Sequence, residues 1–131
     1  MSLVISNLGD VLVLQRALNY SSPGNLKIHL FTNSISPSKT DTVSTYTEAS
    51  DSSYAAISLT GASWSVTTVS SVTTATYAAQ TFTFAGAQTV YGYYLTDSSS
   101  TTLVGAEAFP SALTIPSGGG TITITLNITG N

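Results

Sequence analysis

His29 is the single histidine of the 131-residue chain, and the carboxylates are Asp10, Asp41, Glu48, Asp51, Asp97 and Glu107. A nucleophilic serine would need a sharp strand-to-helix elbow of the form G-x-S-x-G to be held out for attack. The nearest string, Gly61-Ala-Ser-Trp-Ser65, lacks the second glycine. Zinc needs several His or Cys ligands, and the chain has one histidine and no cysteine. Asp41, Glu48 and Asp51 share one polar loop and carry the oxygens that calcium accepts, but their spacing matches no calcium loop. Glu48 and Glu107 are a formal pair for glycoside chemistry, with nothing in the sequence to bring them together. Ser117-Gly-Gly-Gly-Thr121 has the glycines of a phosphate cradle, yet no Lys follows and a strand comes next, so it reads as a hairpin connection. Asn19-Tyr20-Ser21 and Asn127-Ile128-Thr129 fit the glycosylation sequon, as chance allows in a chain this rich in Ser and Thr. The sequence therefore predicts no catalytic residue, no metal site and no cofactor, with His29 structural or superficial.

Charge bounds the partners. Three basic and six acidic residues make up 7% of the chain, against roughly a quarter in typical soluble proteins. Ser and Thr, about a third of the chain, fill the gap. Arg16, Lys27 and Lys39 are too few and too scattered to displace phosphate counterions, so nucleic acid is not an expected partner. The same scarcity argues against an anionic membrane surface. Mean hydropathy is +0.27, but no apolar run approaches the ~18 residues of a membrane span. The opening residues lack a basic region, and Gly9-Asp10 interrupts their apolar stretch, so no secretory signal is expected. A hydroxyl-coated surface is cheap to cover, because no ion has to leave water.

These residues need elements to place them. Leu3, Val4, Ile5, Leu8, Val11, Leu12, Val13 and Leu14 crowd the N-terminus. An extended arm at about 3–7 and a short helix at about 10–19 are expected, stopped by Asn19–Gly24. The helix stripe either covers one end of the domain's own core or, with the arm, clamps a neighbour. From Leu26 the period is two, with Leu26, Ile28 and Leu30 on one face and Lys27, His29 and Phe31 on the other. Further strands are predicted at 54–60, 64–69, 76–84, 89–96, 101–109 and 121–129, with a short edge strand near Val43–Thr47. Turns are predicted at Gly61, Gly86, Asp97–Ser100, Pro110 and Ser117–Gly120. Such spacing indicates an all-β domain, a β-sandwich or jelly-roll-like barrel over 21–131, preceded by the arm and short helix of 1–20. Thr121-Ile-Thr-Ile-Thr-Leu-Asn-Ile-Thr129 alternates throughout, without charge, proline or bulge glycine. An exposed edge of this kind invites aggregation, so the strand is either central or covered by another chain.

Several strings, in order along most of the chain, resemble a family of small virion proteins of tailed bacteriophages. They are Gly9-Asp10 with Leu12, Leu14, Leu18 and Asn19, then Leu26-Lys-Ile-His-Leu-Phe-Thr-Asn33, and Ser36-Pro37 with Thr40-Asp41-Thr42. Tyr46-Thr-Glu-Ala49, Tyr54-Ala55, Trp64, Tyr77-Ala-Ala-Gln-Thr-Phe82, Val90-Tyr-Gly-Tyr93 and Ala106-Glu107 with Phe109 continue the set. The chain departs from the pattern at Gly105 and Ala108, where a tryptophan and an arginine are expected, and at Gly119-Gly120, where Gly-Asp is expected. The resemblance implies a capsid decoration, or cement, protein. Such a protein is made in the host bacterial cytoplasm and sits on the head surface of the virion, binding major capsid subunits and its own copies, often as a trimer.

Candidate interface residues are Leu3, Val4, Ile5, Leu8, Val11, Leu12 and Leu14 of the arm and helix, with Tyr91 and Tyr93. Strict alternation puts those two tyrosines on one face and Tyr94 on the other. Tyrosines on an open sheet face can anchor a protein contact or stack on sugar rings, whereas in a core they simply pack. The second functional reading is accordingly a tail, baseplate or head-fibre component with an adaptor or glycan-binding role.

Overall fold

A computed structural model describes residues 3–9 and 24–130. The helix predicted at 10–19 lies outside them. Eight strands follow in chain order: β1 (Val4–Ile5), β2 (Leu26–Phe31), β3 (Ile57–Leu59), β4 (Ser65–Val69), β5 (Val72–Phe84), β6 (Gln88–Asp97), β7 (Leu103–Ile115) and β8 (Gly120–Gly130). They form two antiparallel sheets, β1-β7-β6-β2-β3 and β4-β5-β8, packed as an all-β sandwich. The alternation expected from Leu26 onward is present. Ile28 and Leu30 of β2 enter the core between the sheets, meeting Phe82 and Phe84 of β5 and Ile122, Ile124 and Leu126 of β8. Each fully buried side chain of this size contributes about 1.5–3 kcal/mol.

The larger sheet buries its outer face as well. Phe31, Tyr94, Leu103 and Ala106 form a second cluster with Tyr46, which comes from the polar loop between β2 and β3. That loop is a lid rather than a strand. The edge strand expected near Val43–Thr47 is a 3-10 turn, Val43–Thr45, followed by a single bridge between Glu48 and Phe31. The turn closes because the Thr42 amide donates to the Thr45 hydroxyl (3.1 Å) and the Thr45 amide donates to the Thr42 carbonyl (3.0 Å). These local bonds compete with extended backbone.

Two strands run past their predicted ends. β7 continues through Pro110 to Ile115. Gly92 pairs with Ala108 and Val90 with Leu113, so residues 109–112 of β7 lie opposite Tyr91 alone. Pro110 thus sits in a bulge, where no ladder bond asks for its missing N–H. β5 begins at Val72, four residues before its predicted start at 76, because Ser70 and Ser71 turn the chain directly out of β4. Their φ angles are +50° and +65°, the positive pair that a two-residue hairpin requires. Serine disguises a turn usually announced by Asn-Gly.

The N-terminal segment is part of the sandwich. Val4 and Ile5 pair with Ala106 and Gly105 of β7, and the Ser6 hydroxyl donates to the Leu103 carbonyl at 2.6 Å. Residues 7–9 are helical. The extended segment expected at about 3–7 is, at Val4–Ile5, an edge strand of the larger sheet.

Candidate protein interface

His29 is the natural place to look for chemistry, and its surroundings are structural. β2 turns it to the outer face, where it is 3% exposed and stacks on Tyr94 with ring centroids 4.6 Å apart. Nδ1 lies 2.8 Å from Glu48 Oε1 and Nε2 lies 3.0 Å from Thr96 Oγ1. The Thr96 hydroxyl also reaches the Asp97 carbonyl, at 2.9 Å. If Thr96 gives its one proton to that carbonyl, both ring nitrogens donate and the ring is an imidazolium facing Glu48. If Thr96 donates to Nε2 instead, the ring is neutral. The site is satisfied either way. Tyr54 closes it, donating to Glu48 Oε1 at 3.1 Å and accepting from the Leu30 amide at 3.0 Å.

The other carboxylates hold separate pieces of backbone or phenol. Asp41 accepts from the Ser38 amide and the Tyr46 hydroxyl at 2.8 and 2.7 Å. Asp51 accepts from the amides of Ala85, Ser53 and Gly86, pinning the loop to the β5–β6 turn. The bonds from Ala85 and Ser53, and least that from Gly86, hold its carboxyl below the usual range against the opposing effect of burial. Glu107 accepts from Tyr93 at 2.6 Å, and burial followed by that bond pushes the phenol above its ordinary range. Tyr93 belongs to the inner core whereas His29 and its Glu48 stand on the outer face, so Glu48 and Glu107 are on opposite sides of one sheet. Among the described residues no three His, Cys, Asp or Glu side chains group to hold a metal ion, and no helix is long and apolar enough to cross a membrane.

The two interface tyrosines separate. Tyr93 is 5% exposed and belongs to the core between the sheets, so it does not present itself to a partner. Tyr91 packs beside the outer cluster with Tyr94. The bulge at Tyr91–Gly92 is the reason: one register shift inverts every side chain beyond it. Gly92 is required there, because a Cβ would stand 2.2 Å from the Glu107 carbonyl oxygen and 2.6 Å from the Phe31 ring. Half-buried Tyr91 divides two shallow grooves of about 380 and 370 Å³, one running toward Thr114 and Ile115, the other bounded by Ile35, Phe109 and Pro110.

Of the apolar N-terminal residues, Leu3, Val4 and Ile5 are half-buried against their own domain, with Leu3 packed on the inner core. Leu8 is 48% exposed. Val11, Leu12 and Leu14 lie outside the described residues. The strands predicted at 64–69 and 76–84 are present as β4 and β5, but the sequence reading missed the tight Ser70–Ser71 turn that joins them and the exposure of β4 along its whole length. Val66, Val69 and Val72 are exposed by 63%, 72% and 45%. The signal was the Val-Ser-Ser-Val string, two strand formers flanking two small residues.

The smaller sheet is the more distinctive surface. β4, β5 and β8 contain no Asp, Glu, Lys, Arg or His, and neither does any position from Ser52 to Thr96. Its solvent face carries polar side chains that bond to one another, Thr81 to Thr123 at 2.9 Å and Thr76 to Asn127 at 3.0 Å, and Thr68 meets Thr73 at 2.9 Å on the other face of the exposed hairpin. Polar groups that already satisfy one another lose little when water is removed from them. The fold and this surface define an all-β sandwich with one charge-free sheet. Comparison with protein-family models and with curated proteins finds no match to this chain.

Proposed function

We propose that the chain is a structural virion protein that decorates a tailed-phage capsid, binding major capsid subunits and its own copies and stabilising the assembled head. The observation that carries this reading is the charge-free sheet β4-β5-β8, with the exposed valines Val66, Val69 and Val72 at its hairpin end. Such a surface desolvates without stranding an ion, and its apolar side chains gain about 25 cal/mol for each Å² covered. The family resemblance supplies the partner. The chain on this reading is not an enzyme, uses no cofactor, binds neither nucleic acid nor membrane, and reaches the head surface from the host cytoplasm.

Copy number tests it. A quantitative gel of purified virions from the phage that encodes the chain should give hundreds of copies per particle. A dozen or fewer would move it to the tail or baseplate, and none would refute a virion role. Tyr91 between its two grooves favours the second reading, a head-fibre or tail component that stacks a sugar ring on that phenol. Specific signal on a glycan array, lost in Tyr91→Ala, supports that alternative.

A further inference from the structure

A sheet edge exposes unpaired N–H and C=O groups, and proteins protect themselves by keeping edge strands short, bulged or charged. Three of the four edges here obey. β1 has two residues, β3 three and β4 five. β8 is the exception: eleven residues, paired on one side with β5 and, among the described residues, with no strand on the other. It carries no charge and no proline. The one irregularity in its ladder falls on the partner strand, where Tyr77 pairs with Leu126 and Gln80 with Ile124, so β8 itself stays unbulged. Eleven residues at about 3.4 Å each give roughly 37 Å of open edge.

We propose that this edge is closed by β8 of a second copy, running antiparallel across a two-fold axis and joining the two small sheets into one six-stranded sheet. The sequence of the strand is complementary to itself. About a two-fold at Thr125, Ile124 meets Leu126, Ile122 meets Ile128, Thr121 meets Thr129 and Gly120 meets Gly130. Directly opposed residues share a face in an antiparallel pair, so the buried Ile and Leu side chains continue one core and the threonines one hydroxyl surface. Set head to tail, β8 would meet β4, β3 or β1 over less than half its length, or the unpaired stretches of β7 (107–115) and β5 (77–84), which are shorter than β8 and interrupted by irregularities. Only a second β8 matches it end to end. This pairing concerns how two copies meet and not where they sit, so it stands apart from the capsid reading, and it puts a two-fold dimer in place of the trimer that the family resemblance implies.

The free chain should sediment at twice its 13.5 kDa mass. Thr123→Lys with Thr125→Lys, both solvent-facing, sets ammonium groups against each other at the dyad, and association should weaken by roughly tenfold or more. Circular dichroism should stay unchanged. Thr81→Lys with Thr83→Lys adds the same charge to the face of β5 and should leave the dimer intact. In the wild type, amide exchange of the β8 N–H groups that point away from β5 should be protected, a readout that needs no variant. A monomer or a trimer would overturn the proposal. So would a dimer that the β5 variant disrupts and the β8 variant does not, because contact would then be through the sheet face.

Discussion

Replacing His29 by alanine should destabilise the domain by about 4 kcal/mol, and the structure says how that figure divides. The bond from Nδ1 to Glu48 is charge-assisted and contributes about 1.5–3 kcal/mol, toward the lower end because the Glu48 side chain is 41% exposed. The Thr96 bond adds about 1 kcal/mol and the stack on Tyr94 about another. Glu48→Ala asks a different question. It leaves the buried Nδ1 without its acceptor, at about 1–3 kcal/mol, while Tyr54 keeps its bond from Leu30. Glu48→Gln retains a carbonyl acceptor and should cost less than either. Urea unfolding monitored by tyrosine fluorescence gives all three values, and the double variant closes a cycle whose coupling should be about 1.5–2 kcal/mol. Nitrogen chemical shifts of the ring report directly whether it carries one proton or two. A loss below about 1 kcal/mol for His29→Ala, or a coupling of zero, would refute the structural assignment and reopen His29 as a functional group.

Four further outcomes follow from the geometry. Gly92→Ala forces a Cβ against the Glu107 carbonyl and the Phe31 ring, and should cost about 3 kcal/mol by the same urea assay. Ser70→Asn with Ser71→Gly suits the positive φ angles of the β4–β5 turn and should gain about 1 kcal/mol, visible as a higher melting temperature. Leu126→Ala, at a 1% exposed core position of β8, should lose about 2–5 kcal/mol. Asp51 has a depressed folded-state pKa, so its contribution is present above the unfolded value of 3.8 and disappears as pH falls through the lower folded one. Asp51→Asn should therefore be less stable than wild type at neutral pH, with the gap closing below pH 3.8, as acid titration of the melting temperature will record.

Much of this protein is written locally. Alternation in Leu26–Phe31 and Thr121–Thr129 specified both strands and their buried faces, because side chains in extended backbone must point to opposite sides. The dearth of charge, a matter of composition, specified a surface suited to being covered. Other features depend on partners distant in sequence. Tyr91 and Tyr93 separate because a bulge against residues 109–112 shifts the phase, and a period of two carries no mark of where it slips. Pro110 stays within β7 for the same reason. His29 takes its partners from 19 and 67 residues away, a meeting that only the closing of the sheet and its lid arranges. The uncharged last strand had two possible places, the centre of a sheet or a covered edge. Its alternation is identical in both, and only the strand order β4-β5-β8 puts it at the edge.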